Sequence, residues 1–260
     1  MSMRMVTAEL LRLRKNRALF IWMVLMTSGA VAALYLIGQG FHLNDSANNG
    51  PAGGADNLRH GLLVISFVGS VAAAILGSTV GTSDLGSGVM RDLIVTGRSQ
   101  VSLFAARVPG TLLFWVPLVL VAYAVAVAFD FAFAGNLPTP GTTAIVKDGL
   151  WVLMVTAIAA IASLGVASLI GSRGISIGVL LGWQLAVTPL VLNISQLGVL
   201  RELLLSAATA RVQPFTGAGG GGGDAAAALH VSLAAAILVL AGWVVVPLLA
   251  GCWRTVTRDA

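Results

Sequence analysis

In this 260-residue chain the residues that could carry chemistry are a serine in a Gly-x-Ser-x-Gly string, three histidines, one cysteine and a run of five glycines. The string Gly174-Ile175-Ser176-Ile177-Gly178 has the pattern of a nucleophile elbow, which needs a strand–turn–helix context and a base within hydrogen-bond reach. Here it opens an apolar stretch long enough to cross a bilayer. His230, the best base, falls at the far end of another such stretch, so a Ser–His pair is excluded. His42 and His60 show no ligand spacing. Cys252 stands alone, which rules out an intramolecular disulfide and a cysteine-rich metal site. The run Gly219 to Gly223 lacks the Lys-Ser/Thr of a phosphate loop and reads as a flexible connector. No Walker pattern occurs elsewhere, so the chain is expected to bind no ATP or other cofactor itself.

One polar connection is more than a turn. From Ser83 to Gln100 the sequence predicts a short helix around Gly88 to Val95, with Asp84 near its start, where a negative charge suits the helix dipole. Val89, Leu93 and Ile94 give it an apolar side, and Arg91 and Asp92 a polar one. Such a helix can dock a soluble partner, or simply pack on the membrane.

The elements around these residues follow from composition. The chain is 57% hydrophobic and 10% charged, with a mean hydropathy of +0.94. A soluble domain carries roughly 25% charged residues, so lipid is the expected solvent. The fold class is an all-α integral membrane protein, a single transmembrane domain over 1–260. Six stretches meet the length of about 20 apolar residues that a span requires: 18–37, 61–82, 108–129, 149–170, 174–192 and 225–249. They lack the alternation of a membrane barrel. No Asp, Glu, Lys, Arg or His is expected near the midplane of any span, and Gln184 is the most deeply placed strongly polar side chain. That weighs against an ion-coupled secondary transporter and against a membrane enzyme.

Orientation follows from Lys and Arg in the connections. Eleven of the fifteen, including Arg4, Arg12, Arg14, Lys15, Arg91, Arg98, Arg107, Arg173 and Arg254, fall on one side, against Arg59, Lys147, Arg201 and Arg211 on the other. Both termini are therefore expected in the cytoplasm, in the cytoplasmic membrane. This distribution also accounts for the net charge of +5 without nucleic acid. The N-terminal run reads as a span and not as a cleavable signal, because no small-residue cleavage site interrupts it.

Residues 2–16 predict an amphipathic helix in the membrane interface: Met3, Val6, Leu10 and Leu13 form one stripe, with Arg4, Arg12 and Lys15 opposite. The alternative is a basic flank that sets topology. Residues 39–59 read as irregular. The segment 196–212 predicts a helix resting on the outer leaflet, with Leu197, Leu200, Leu204 and Ala207 as its apolar stripe. Two small-residue ridges, Gly174, Gly178, Gly182 and Gly69, Ala73, Gly77, Gly81, permit close helix approach, either within one subunit or at a seam between two. Pro109, Pro117 and Pro189 predict bends.

The chain resembles the permease subunits of type-2 ABC exporters, which combine a basic interfacial helix, six spans and a helical first inner loop. The family's pattern in that loop is an acidic residue, Gly-x-x-Arg, a Leu, then a Gly/Pro-x-Arg turn. Asp84, Gly88, Arg91, Leu93 and Gly97-Arg98-Ser99 match it, with Asp84 where the family usually has Glu and Arg107 where Lys is frequent. The layout covers nearly the whole chain; the motif is short. The resemblance implies a pair of permeases, typically a homodimer, with two copies of a separate ATPase that holds ATP and magnesium. The loop 84–98 would be the coupling helix, with Asp84, Gly88, Arg91, Asp92, Leu93 and Arg98 meeting the ATPase and Arg12 and Arg14 as a second contact. An apolar pathway implies hydrophobic or amphiphilic cargo such as a drug, antibiotic or lipid. The competing readings are a secondary transporter and a membrane assembly subunit that moves nothing.

Overall fold

Polar caps and glycines cut the apolar sequence into helices. In the computed structural model, which describes residues 3–87, 99–215, 226, 229 and 231–257 (the side chains of 84–87 excepted), Asn16 separates α1 (Met3–Lys15) from α2 (Arg17–Asn44), its side chain accepting from the Leu19 N–H. Ser99 caps α4 (Gln100–Ala132) by accepting from the Ser102 N–H at 3.3 Å. Gly171, at φ +78°, ends α5 (Thr142–Ile170) in the left-handed conformation that glycine adopts without penalty, and α6 (Arg173–Asn193) starts two residues later. The remaining helices are α3 (Ala55–Ser87), α7 (Leu205–Arg211) and α8 (Leu233–Thr257). Among the described residues there is no strand. Six helices, α2 to α6 and α8, are long and apolar enough to cross a membrane.

The centre of the bundle is α5, packed on α3 along one side and on α8 along another. Small residues make both contacts. A Cβ on Gly77 would lie 2.6 Å from the Leu164 N, and one on Gly81 2.7 Å from the Leu164 carbonyl oxygen. Across α5, Gly165 abuts the Pro247 backbone, and a Cβ on Gly251 would lie 2.6 Å from the Gly165 oxygen. The ridge on α3 is therefore packed within one subunit. The ridge on α6 is not: a Cβ at Gly174, Gly178 or Gly182 meets nothing within 4 Å. Of α5's most apolar window 61% is buried, against 11% for α6 and α8, so these two helices turn most of their apolar surface outward.

Two spans contain a π turn, Leu25–Gly29 in α2 and Trp183–Val187 in α6. The second precedes Pro189, which has no N–H to give the preceding turn, so the local rewinding sits where that bond would be missing. In α4, Pro109 and Pro117 lie inside one uninterrupted helix.

The first helix docks on α4 through Val6 and Leu13, both buried, and Glu9 lies against Gly110. Met3, expected in the same stripe, is 80% exposed. The stripe expected over 196–212 is also broken. This segment is a 3-10 stretch, Ser195–Leu203, with Gly198 at φ +49°, followed by α7. The kink rotates Leu200 outward while Leu204 and Ala207 are buried against α8.

Replacing Gly77 or Gly81 by Leu is expected to lower the stability of the detergent-solubilised subunit by about 1–3 kcal/mol each, the usual cost of overpacking. Gly178→Leu should leave the stability of the monomeric fraction unchanged. Size-exclusion chromatography after graded heating reads both, and an unaffected Gly77→Leu would refute the α3–α5 contact.

Candidate functional site

The two ends of the bundle carry the polar chemistry. At the end with α1 and the last turn of α8, the connection between α3 and α4 emerges. Gly88, Arg91, Asp92, Leu93 and Arg98, together with the side chain of Asp84, lie outside the described residues, as does His230. What is described is the root of that connection. Arg107 is 3% exposed, and its Nη1 donates to the Gly81 carbonyl at 3.5 Å. Ser168 Oγ on α5 donates to the same carbonyl at 3.2 Å, and to the Leu164 carbonyl at 2.9 Å. One carbonyl of α3 thus ties α3 to α4 and α5. Gly81 permits this, because any side chain there would push α5 away. At the start of α4, the Gln100 amide, oriented to donate, reaches the Thr255 and Val256 carbonyls of α8 at 3.1 and 3.2 Å.

Arg12 and Arg14 lie on the last turn of α1, both exposed. Arg12 pairs with Glu9 at 3.8 Å, one turn back and on the side of α1 that faces α4. Ser176 is buried inside α6 and donates to the Ser172 carbonyl at 2.7 Å, a helical arrangement and not an elbow.

At the opposite end the sequence reading missed two buried carboxylates. Asp130, on the last turn of α4, has no exposed surface, and neither of its oxygens has a hydrogen-bond partner. It faces the backbone N–H groups of Gly54 and Leu58 at the start of α3 without reaching hydrogen-bond geometry. Asp148, on the second turn of α5, is 5% exposed. Each falls one residue outside a span as delimited from the sequence. The signal available was position: each lies within a turn of the apolar core, on either side of one short connection. Tyr123 joins them, donating to the Ile145 carbonyl at 2.6 Å and packing on Gly149. Tyr35 stacks on Phe129 at 5.9 Å and packs on Gly61.

Asp148 opens onto a cavity of about 410 Å³ between the first turns of α3 and α5. Arg59, Lys147, Thr143 and Phe215 also line it. Arg59 is held by Asp56 at 2.7 Å, and Lys147 is exposed. Phe215 packs edge-on against Trp151 at 5.4 Å, and Trp151 Nε1 donates to the Thr209 carbonyl at 3.0 Å. Among the described residues no grouping of His, Cys, Asp and Glu could hold a metal. Outside the spans, Asn48 hydrogen-bonds to Asp45 through its side chain and backbone and holds that carboxyl below its ordinary range.

No protein-family model matches the chain, and a search of curated proteins finds no matching relative.

Removing Arg107 as Leu is expected to cost about 1.5–3 kcal/mol, as for hydrogen bonds from a charged donor. Ser168→Ala should cost about 0.5–1.5 kcal/mol. Since both donors serve one carbonyl, the double variant should depart from the sum of the two losses. Strict additivity in detergent thermal unfolding would show that they act independently.

Proposed function

We propose that this chain is the membrane-spanning subunit of an ATP-driven exporter of the type-2 ABC class, working with a separate ATPase. The observation that supports this most is the tie at Gly81. A subunit driven from outside the membrane needs its docking segment rigidly joined to several spans, because a partner shifts an equilibrium only through contacts that differ between the states. Arg107 and Ser168 bind the roots of the 84–98 connection into one unit with α5, and Gln100 adds α8. Movement of the connection then moves four spans together.

In this reading both termini lie in the cytoplasm. Asp84, Gly88, Arg91, Asp92, Leu93 and Arg98 meet the ATPase, and Arg12 and Arg14 form a second contact. Two permeases pair, with the open ridge Gly174, Gly178, Gly182 at their seam, and two ATPase copies supply ATP and magnesium chemistry that this chain does not perform. The cargo is hydrophobic or amphiphilic, in keeping with the apolar spans.

A secondary transporter is the second reading. One observation favours it: Asp130 is a fully buried carboxylate without a hydrogen-bond partner, the kind of group that proton-coupled carriers use.

Affinity purification from the native membrane in mild detergent decides between them. The exporter reading expects a soluble Walker-type ATPase in about equal amount, lost on combining Arg91→Glu with Asp92→Lys while membrane insertion persists. Recovery of the chain alone, together with substrate uptake that follows a pH gradient and stops in Asp130→Asn, would establish the second reading.

A further inference from the structure

The cavity at the start of α5 plays no part in the exporter reading and has the makings of a binding site. Asp148 is buried to 95%, lines the cavity, and accepts no hydrogen bond and forms no ion pair among the described residues. Arg59 acts on it only from beyond ion-pair distance; one contact of its guanidinium goes to the exposed Asp56, which leaves its other donors. A buried carboxylate at the cavity wall, without a hydrogen bond or ion pair, lacks a partner, since buried charges are ordinarily paired or hydrogen-bonded.

Two other residues of the wall carry the opposite charge. Arg59 and Lys147 both face the cavity. The first turn of α5 adds free backbone N–H groups, for Gly141 caps it without a side chain. An occupant matching all of this is a zwitterion, with an ammonium on Asp148 and an anionic group among Lys147, Arg59 and the α5 N-terminus. The placement narrows it further. The cavity lies at the ends of two helices long and apolar enough to cross a membrane, where lipid head groups would be expected. Val146 and Leu150, 55% and 62% exposed, form an apolar strip on a neighbouring face of the same helix, where lipid chains would lie.

We infer that this cavity binds an aminophosphate group, the head of a phosphatidylethanolamine-type lipid, with the ammonium on Asp148 and the phosphate on Lys147 and Arg59. The inference stands apart from the exporter reading and concerns this chain alone.

The test is native mass spectrometry of the full chain in detergent, titrated separately with phosphatidylethanolamine, phosphatidylglycerol and diacylglycerol of the same acyl chains. Phosphatidylethanolamine should bind about tenfold more tightly than phosphatidylglycerol, the worth of one charge-assisted hydrogen bond, and more tightly still than diacylglycerol, which has no phosphate. Asp148→Asn should remove its advantage over phosphatidylglycerol. Lys147→Gln, at an exposed position that does not threaten folding, should weaken both phospholipids and leave diacylglycerol unchanged. Soluble O-phosphoethanolamine serves as competitor: displacement of the lipid supports a head-group site, and failure to displace at large excess counts against it. Equal binding of the three lipids, or a preference of the phospholipids over diacylglycerol that is unaltered in Lys147→Gln, would overturn the assignment whether or not Asp148→Asn folds.

Discussion

The rest of the molecule depends on how closely α3 and α5 approach. In lipid there is no hydrophobic gain from bringing two apolar helices together, so contact must come from packing and from hydrogen bonds between backbones and short side chains. Gly77 and Gly81 bring the α3 backbone against Ser163, Leu164 and Ala167. At that separation a serine is long enough to reach across, as Ser168 does to the Gly81 carbonyl. The same economy repeats between α5 and α8 through Gly165 and Gly251. The helix with small residues on two faces is thus the one in the middle, and α6, whose glycines meet no neighbour, lies at the edge.

This explains which parts of the architecture were legible in the sequence. Six long apolar stretches are evident because the bilayer demands length and hydropathy alone. Partner choice is not, since both glycine ridges have the same four-residue spacing and only one is filled within the subunit. Helical periodicity also misled where the chain is not one helix. Leu197, Leu200, Leu204 and Ala207 share a face only on an unbroken α-helix, and Gly198 breaks it. Likewise Met3 continues the stripe of α1 on paper but extends past the surface of α4 that buries Val6 and Leu13.

The polar ends show the same divide. Arg107 was recognised as a basic residue near the loop, yet its burial and its bond to a carbonyl 26 residues away are tertiary facts. Asp130 and Asp148 were harder, because a carboxylate at the edge of a span is ordinarily solvated there. What buries them is the inward fold of the connections. The Gly53 N–H donates to the Phe133 carbonyl and the Ala55 N–H to the Pro138 carbonyl, which draws the start of α3 over the end of α4. Gly53 can lie directly on the α4 terminus only because it has no side chain, and Gly54, at φ +99°, then turns the chain into α3.

The two ends of the bundle differ in what their polar groups meet. At the basic end α3, α4, α5 and α8 are joined by hydrogen bonds between different helices, so relative sliding there requires breaking them. At the other end Tyr123 donates to the Ile145 carbonyl at 2.6 Å and Trp151 to the Thr209 carbonyl at 3.0 Å, and these hydrogen bonds are joined by aromatic stacking, Tyr35 on Phe129 and Phe129 on Phe133, and by the buried carboxylate of Asp130, which has no hydrogen-bonded partner. Stacked rings tolerate small displacement better than directed hydrogen bonds do, and an unpaired buried carboxylate is more stable in any arrangement that gives it a donor or a cation. Both ends are thus tied by directed hydrogen bonds, and what sets the second apart is Asp130, the group that any rearrangement bringing it a donor would stabilise.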